Sequence, residues 1–412
     1  MNLRWMLILL FVGSGLLAAG CGSPPPQFRR YVTFVALTEK QLSSDPENPF
    51  EFTAEQLQDI DEVLAAQFGT PNDPLLPALG EVEVAKVMNI GRLKVAAGAV
   101  GVDEQNRARG LYREHCAHCH GVTGDGLGPT AAFLNPYPRD FRKGQFKFKS
   151  TPVGYKPTHD DLKRTLLNGI PGTAMPSFLL LPDHEVEALV EYVKYLAVRG
   201  EVERSLFSLW SAGEYGDKDR IITDASKPDP DQIAALKGQT EIVVGKWLEA
   251  DANTVAVSPP PDYTPEELEA SRQAGKVLFQ GTKANCFSCH GIAALGDGQL
   301  TGFDEWTKEL IAPTGVRNDE LVRDFTRLGM LEPRNIRPRN LRQGVYRGGR
   351  RPLDVFWRIR NGIEGTPMPG FKPEILSDGD IWNIVNYVLS LPYEEISDPQ
   401  QAIPVNLHES PK

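Results

Sequence analysis

Cysteine is scarce in this chain: five in 412 residues, beside six methionines and seven histidines. Cys21 stands alone, and the other four form two close pairs, so no pair is left for a structural disulfide framework. Positive charge is also in deficit. Lys and Arg number 44 against 54 Asp and Glu, and a net charge of −10 argues against nucleic acid as a partner. Beyond residue 21 no apolar run approaches bilayer-spanning length, so the body of the chain is expected to lie outside the membrane. What the chain has in quantity is proline, 33 residues, pointing to long irregular connections. A hydrophobic fraction of 41% permits ordinary cores, and the length suits two or three domains.

The two cysteine pairs read Cys116-Ala117-His118-Cys119-His120 and Cys286-Phe287-Ser288-Cys289-His290. C-x-x-C-H is the attachment signature of c-type haem. Two thiols three positions apart can add to the two vinyl groups of one porphyrin, and the adjacent histidine then sits beneath the iron. A single C-x-x-C would serve equally as a zinc half-site or a redox dithiol. Two copies that use every cysteine after residue 21 favour two covalently bound haem c groups.

The first 20 residues read as a signal peptide: Arg4, an apolar stretch from Trp5 to Val12, then small residues up to Cys21. Leu17-Ala18-Ala19-Gly20-Cys21 resembles a bacterial lipoprotein signal, with Cys21 as the lipidated residue, although Ala18 stands where such signals prefer leucine. The alternatives are an uncleaved anchor or plain secretion. The expectation is a lipid-anchored protein on the periplasmic side of a bacterial membrane. Residues 21–101 form an N-terminal extension without cofactor signals. Within it Thr53-Ala54-Glu55-Gln56 is a capping box, Leu57, Ile60, Val63 and Leu64 recur at helical spacing, and Gly69 closes the helix.

A first unit spans 102–199 and a second 263–393, joined by a linker at 200–262 and followed by a tail at 394–412. The second repeats the first. Pro338-Arg339-Asn340-Leu341 echoes Pro138-Arg139-Asp140-Phe141, and Asn361 to Pro369 echoes Asn168 to Pro176. Ala108, Leu111 and Tyr112 are expected on one helical face before Cys116, matched by Gly275, Leu278 and Phe279. Each unit closes with an apolar helix containing Tyr192 or Tyr387. The linker is expected to hold a helix near 232–250. Each copy also carries one methionine in a Gly-x-x-Met-Pro loop, Met175 and Met368. A thioether opposite histidine raises the haem potential and suits electron transfer. Core filling is the ordinary role of methionine, but a matched loop position in two copies favours ligation.

Both units resemble class I c-type cytochrome domains, which implies an all-α fold of two tandem haem domains. The resemblance implies His120 and His290 as proximal ligands and Met175 and Met368 as distal ones. It also implies a proline carbonyl as acceptor for the proximal ring N–H, matched by Pro129 and by nothing in the second unit. The second unit departs further. Its histidine and methionine are 78 residues apart, against 55 in the first, with room for an extra helix at 319–330. Twelve arginines lie between Arg317 and Arg360. Arg139 and Arg339 share a repeated position and are candidates for haem propionate contacts, the alternatives being solvated charge or a docking face. His115, His118, His159, His184 and His408 have no echo and read as surface or structural residues.

The resulting expectation is an electron-transfer protein rather than an enzyme. It would pass single electrons between a redox protein and a membrane respiratory complex, as a subunit of an oxidase or of a quinol-oxidising complex. The competing class is a dihaem redox enzyme, a peroxidase or sulfur-compound dehydrogenase, which needs an open iron position and a nearby acid–base group.

Overall fold

The structure, a computed structural model, describes residues 26–45, 47–79, 83–222, 229–303 and 317–394. The expectations for residues 1–20, for Cys21 and for the tail beyond 394 lie outside these residues. The fold is all-α, with two tandem cytochrome c-like units. In order the helices are α1 Val32–Leu42, α2 Ala54–Phe68, α3 Ile90–Ala96, α4 Leu111–His115, α5 Ala117–His120, α6 His159–Asn168, α7 Asp183–Ser211, α8 Pro230–Leu248, α9 Pro265–Gln280, α10 Phe287–His290, α11 Asp319–Arg327, α12 Pro352–Asn361 and α13 Asp378–Ser390. A two-residue hairpin ladder, β1 Gly101–Val102 with β2 Ala108–Arg109, precedes α4. No described helix is long and apolar enough to cross a membrane.

Local chemistry sets the ends of several helices. Thr53 Oγ1 accepts from Gln56 N while the Gln56 side chain accepts from Thr53 N, starting α2. Thr158 with Asp161, Thr264 with Glu267 and Ser377 with Asp380 do the same for α6, α9 and α13. Asn318 caps α11, the additional helix of the second unit.

The first core is built on α7. Its residues from Ala188 to Gly200 are buried without interruption, because α1, α2, α3, α6 and α8 surround it. A helix buried on every face can exist only inside such a jacket, and Glu191, Lys194, Arg199 and Glu203 are buried with its apolar side chains. Two expectations change here. The segment from residue 200 is not a linker: Val202, Leu206, Leu209 and Trp210 continue the apolar spacing and keep α7 helical to Ser211. Nor do Ala108, Leu111 and Tyr112 share one helix. Gly110 adopts φ 76, where a Cβ would lie 2.3 Å from the Ala99 carbonyl oxygen, so the chain turns there and α4 begins only at Leu111. The helix laid across α7 is supplied instead by α3, from the N-terminal extension.

The second core is smaller. Long α9 crosses α13, and α12 packs beside them. Tyr112 of α4 meets Tyr192 of α7 in the first unit (ring centroids 4.9 Å) and Phe279 of α9 meets Tyr387 of α13 in the second (5.5 Å). An aromatic pair thus stands at the matching place in each unit, although α3 makes the main crossing of α7.

The units are packed against each other. Arg334 donates to the carbonyls of Leu134 (2.6 Å) and Ala132 (2.9 Å) and lies over the Tyr137 ring. Tyr137 donates to the Glu332 carbonyl at 3.0 Å. Arg164 of α6 faces Asp354 (3.9 Å) and Trp357 of α12. The void left beside them is about 20 Å³, room for a single water.

Candidate functional site

Each cysteine pair brackets one helical turn, α5 or α10. His120 N donates to the Cys116 carbonyl and His290 N to the Cys286 carbonyl, both at 2.9 Å. This fixes two thiols and one imidazole on a rigid turn in each unit. Among the described residues no cysteine takes part in a disulfide. Burial, reinforced by Cys119, pushes the Cys116 thiol up to about 12, and burial pushes Cys286 to about 12. Reactive dithiols need the opposite shift. The described residues also contain no group of three or more His, Cys, Asp or Glu able to hold a metal ion.

The imidazoles are held by main chain. His120 Nδ1 lies 2.9 Å from the Arg139 carbonyl oxygen, and His290 Nδ1 lies 3.1 Å from that of Arg339. A carbonyl only accepts, so Nδ1 carries the hydrogen and Nε2 keeps its lone pair. Burial reinforces the neutral form, lowering His120 to about 4 and His290 below its ordinary value. An oriented neutral imidazole with Nε2 available is a metal ligand in waiting. The expected acceptor Pro129 is thereby corrected. The acceptor is the carbonyl of the residue after Pro138 or Pro338, and the second unit has it as fully as the first. Around the rings the units differ: His120 stacks on Phe141 (4.5 Å, 16°), whereas Leu341 occupies the corresponding position in the second unit and Phe279 tilts toward His290 (6.2 Å, 50°).

The two methionine loops close identically. Ile170 N donates to the Met175 carbonyl (3.1 Å), Thr173 Oγ1 donates to the Ile170 carbonyl, and Met175 N donates to Thr173 Oγ1. Ile363, Thr366 and Met368 repeat every one of these bonds. Sequence reasoning missed the threonines, although a threonine two residues before methionine in both copies was the signal. Met175 packs half-buried on the core that contains Cys116 and Ala117, and Met368 on the core touched by Cys286 and Phe287. Met88 is fully buried in the first core, and Met330 lines a cavity outside both loops.

That cavity, about 1410 Å³, lies between the units. Arg30, Arg139, Arg204, Arg334, Arg339 and Arg347 are among its walls. Neither histidine nor either loop methionine lines it, so it borders the two sites rather than containing them. Burial, together with neighbouring Arg339, lowers the Arg347 guanidinium. Nε of Arg339, Nε of Arg347 and Nδ2 of Asn361 are buried donors without partners. Like charges gathered with unsatisfied donors suit carboxylates. The donor set as a whole, two thiols, an oriented imidazole, a nearby thioether and arginines at the margin, fits a covalently held iron porphyrin. Of the unechoed histidines, His159 joins an ion cluster with Lys194 and Glu187 (each 3.0 Å) and His115 packs on Phe178.

The family described as "Cytochrome C oxidase, cbb3-type, subunit III" matches residues 103–193 and 270–388, together half of the chain. No curated protein matches it. A solved structure, "Kuenenia stuttgartiensis reducing HAO-like protein complex Kustc0457/Kustc0458", is 26% identical, covering 71% of this chain and 99% of that one, with a TM-score of 0.44.

Proposed function

The chain belongs to the cbb3-type oxidase subunit III family of c-type cytochromes, and from that premise we propose that it transfers single electrons through two covalently bound haem c groups, one in each unit. Cys116 and Cys119 attach the first and Cys286 and Cys289 the second. His120 and Met175 would ligate one iron, His290 and Met368 the other. The observation that carries this reading is the duplicated bonding: the same histidine-to-carbonyl hydrogen bond and the same threonine-closed methionine loop occur in both units. Haem iron, when bound, would supply the one-electron chemistry. The chain's residues hold the imidazoles in one tautomer and keep the thioethers on short closed loops, so little has to move when charge changes. Arg139 and Arg339, which line the shared cavity, would meet the propionates.

The family's description supports membership of an oxidase-type assembly, with a redox protein or membrane respiratory complex as partner. A lipid on Cys21 would tether the chain to the periplasmic side of a bacterial membrane. The test is a redox-titrated optical spectrum of the mature protein, followed at the weak thioether-to-ferric-iron band in the near infrared. Two haems per chain, each showing that band, are expected. One haem per chain, or carbon monoxide binding at either reduced iron of the unmodified protein, refutes the assignment of ligands.

A further inference from the structure

Glu364 belongs to the second methionine loop, four residues before Met368, yet its partner lies in the other unit. Its carboxylate is 7% exposed and pairs with Lys149, whose side chain is 3% exposed. The same ammonium donates to the Tyr155 carbonyl, which ties it into the first unit. Burial lowers Lys149 below an ordinary lysine while Glu364 raises it again, so the two depend on each other. A buried charge stripped of its partner is strongly unfavourable.

The first loop has no such clamp. At the position matching Glu364 it carries Pro171, which is exposed. The hydrogen bonds that close the two loops are alike, but the first meets the other unit by packing, Gly172 lying against Arg339 and Val345, whereas the second is held by a buried ion pair. Phe148, beside Lys149, is wedged against Gly348, where an added Cβ would come within 2.4 Å of the ring. The backbone that presents Lys149 is therefore fixed against the second unit, and the ammonium cannot follow a loop that moves away.

We propose that Lys149 is a positioning residue for the second iron: through Glu364 it holds the Met368 loop closed, so ligation in one unit depends on its docking to the other. The proposal rests on Met368 being an iron ligand. Its consequence is that breaking this one ion pair frees the second iron and leaves the first, on its proline-stiffened loop, unchanged.

The experiment uses the full-length holoprotein. Glu364→Gln and Lys149→Met are expected to halve the near-infrared thioether band and to let the reduced protein take up one carbon monoxide per chain. Amide exchange at Ile363 and Met368 should accelerate by roughly 100-fold or more, the scale set by stranding one member of a buried pair. Lys149→Arg, which keeps the charge, should restore the band. Arg334→Ala, which removes another contact between units without touching the loop, should leave band and exchange unchanged. Folded two-haem variants that keep both bands and bind no carbon monoxide overturn the proposal, as does an equal effect of Arg334→Ala. If the single variants do not fold, the unmodified protein still decides: Ile363 N–H should exchange more slowly than its counterpart Ile170 N–H, and equal or faster exchange overturns the clamp. A missing thioether band in the unmodified protein would instead refute Met368 as ligand, an outcome distinct from failure of the clamp.

Discussion

Two helical glycines make opposite predictions for one substitution. Gly275 lies where α9 crosses α13, and a Cβ there would sit 2.0 Å from the Asn383 carbonyl oxygen and 2.9 Å from Tyr387 Cβ. Ordinary contact begins more than an ångström farther out, and the nearer atom is main chain, so α9 and α13 must separate. Overpacking of this kind costs about 1–3 kcal/mol. Alanine's better helix propensity returns up to ~1 kcal/mol. The net effect of Gly275→Ala is a loss of roughly 1–2 kcal/mol in the second unit, or about 3–8 °C in its melting temperature. Gly238 in α8 has no atom within 4 Å of the same added group. Gly238→Ala should therefore stabilise by about 0.5–1 kcal/mol. Thermal melts followed separately at the two haems, with far-ultraviolet circular dichroism as a check, read both values. A Gly275→Ala protein as stabilised as Gly238→Ala would refute the close crossing, and with it the packing of the second core.

Tyr112→Phe removes a buried O–H that donates to the Gly121 carbonyl at 3.0 Å and should cost the first unit ~1 kcal/mol in denaturant titrations, leaving the second unit, where Phe279 already stands, unaffected. Glu203→Ala strands Arg199 in the first core and removes the acceptor of Tyr31 N (2.7 Å). A loss of about 3–5 kcal/mol and faster proteolysis within residues 26–45 are expected. Lys283→Met should destabilise the second unit at neutral pH only slightly, because the lysine is half exposed. The hydrogen bond from Lys283 holds the Asp380 carboxyl below its ordinary value. Its contribution is therefore present above the unfolded aspartate pKa of about 3.9 and is lost as pH falls through the lower folded value. Denaturation curves of variant and unmodified protein should differ at pH 6 and converge in strong acid.

The repeated motifs were readable. Cysteine, histidine and methionine at fixed spacings announce themselves, and the side chains that cap α2, α6 and α9 mark those helix starts by their identity alone. What escaped was whatever the main chain does, or whatever depends on distant packing. The acceptor of the histidine N–H is a carbonyl, which every residue possesses, so the letter at position 129 or 139 could not reveal it. Gly110 interrupts a good apolar pattern through its backbone angle, and α3 fills the gap from a segment that carries no motif. Residues 200–211 read as connection because the unit had already reached its expected length. Their burial depends on α1, α2 and α8, which are remote in sequence. Lys149 and Glu364 are 215 residues apart, and neither belongs to a repeated pair.

The carbonyl that aims each imidazole also bears on heredity. A substitution at Arg139 or Arg339 exchanges the side chain and leaves the oxygen in place, so ring orientation passes intact through almost any point mutation there. Selection can then act on the charge at these positions without endangering the ligand beside them. The residues around the two histidines can therefore differ between the units, while the hydrogen bond that both share is set by the backbone itself.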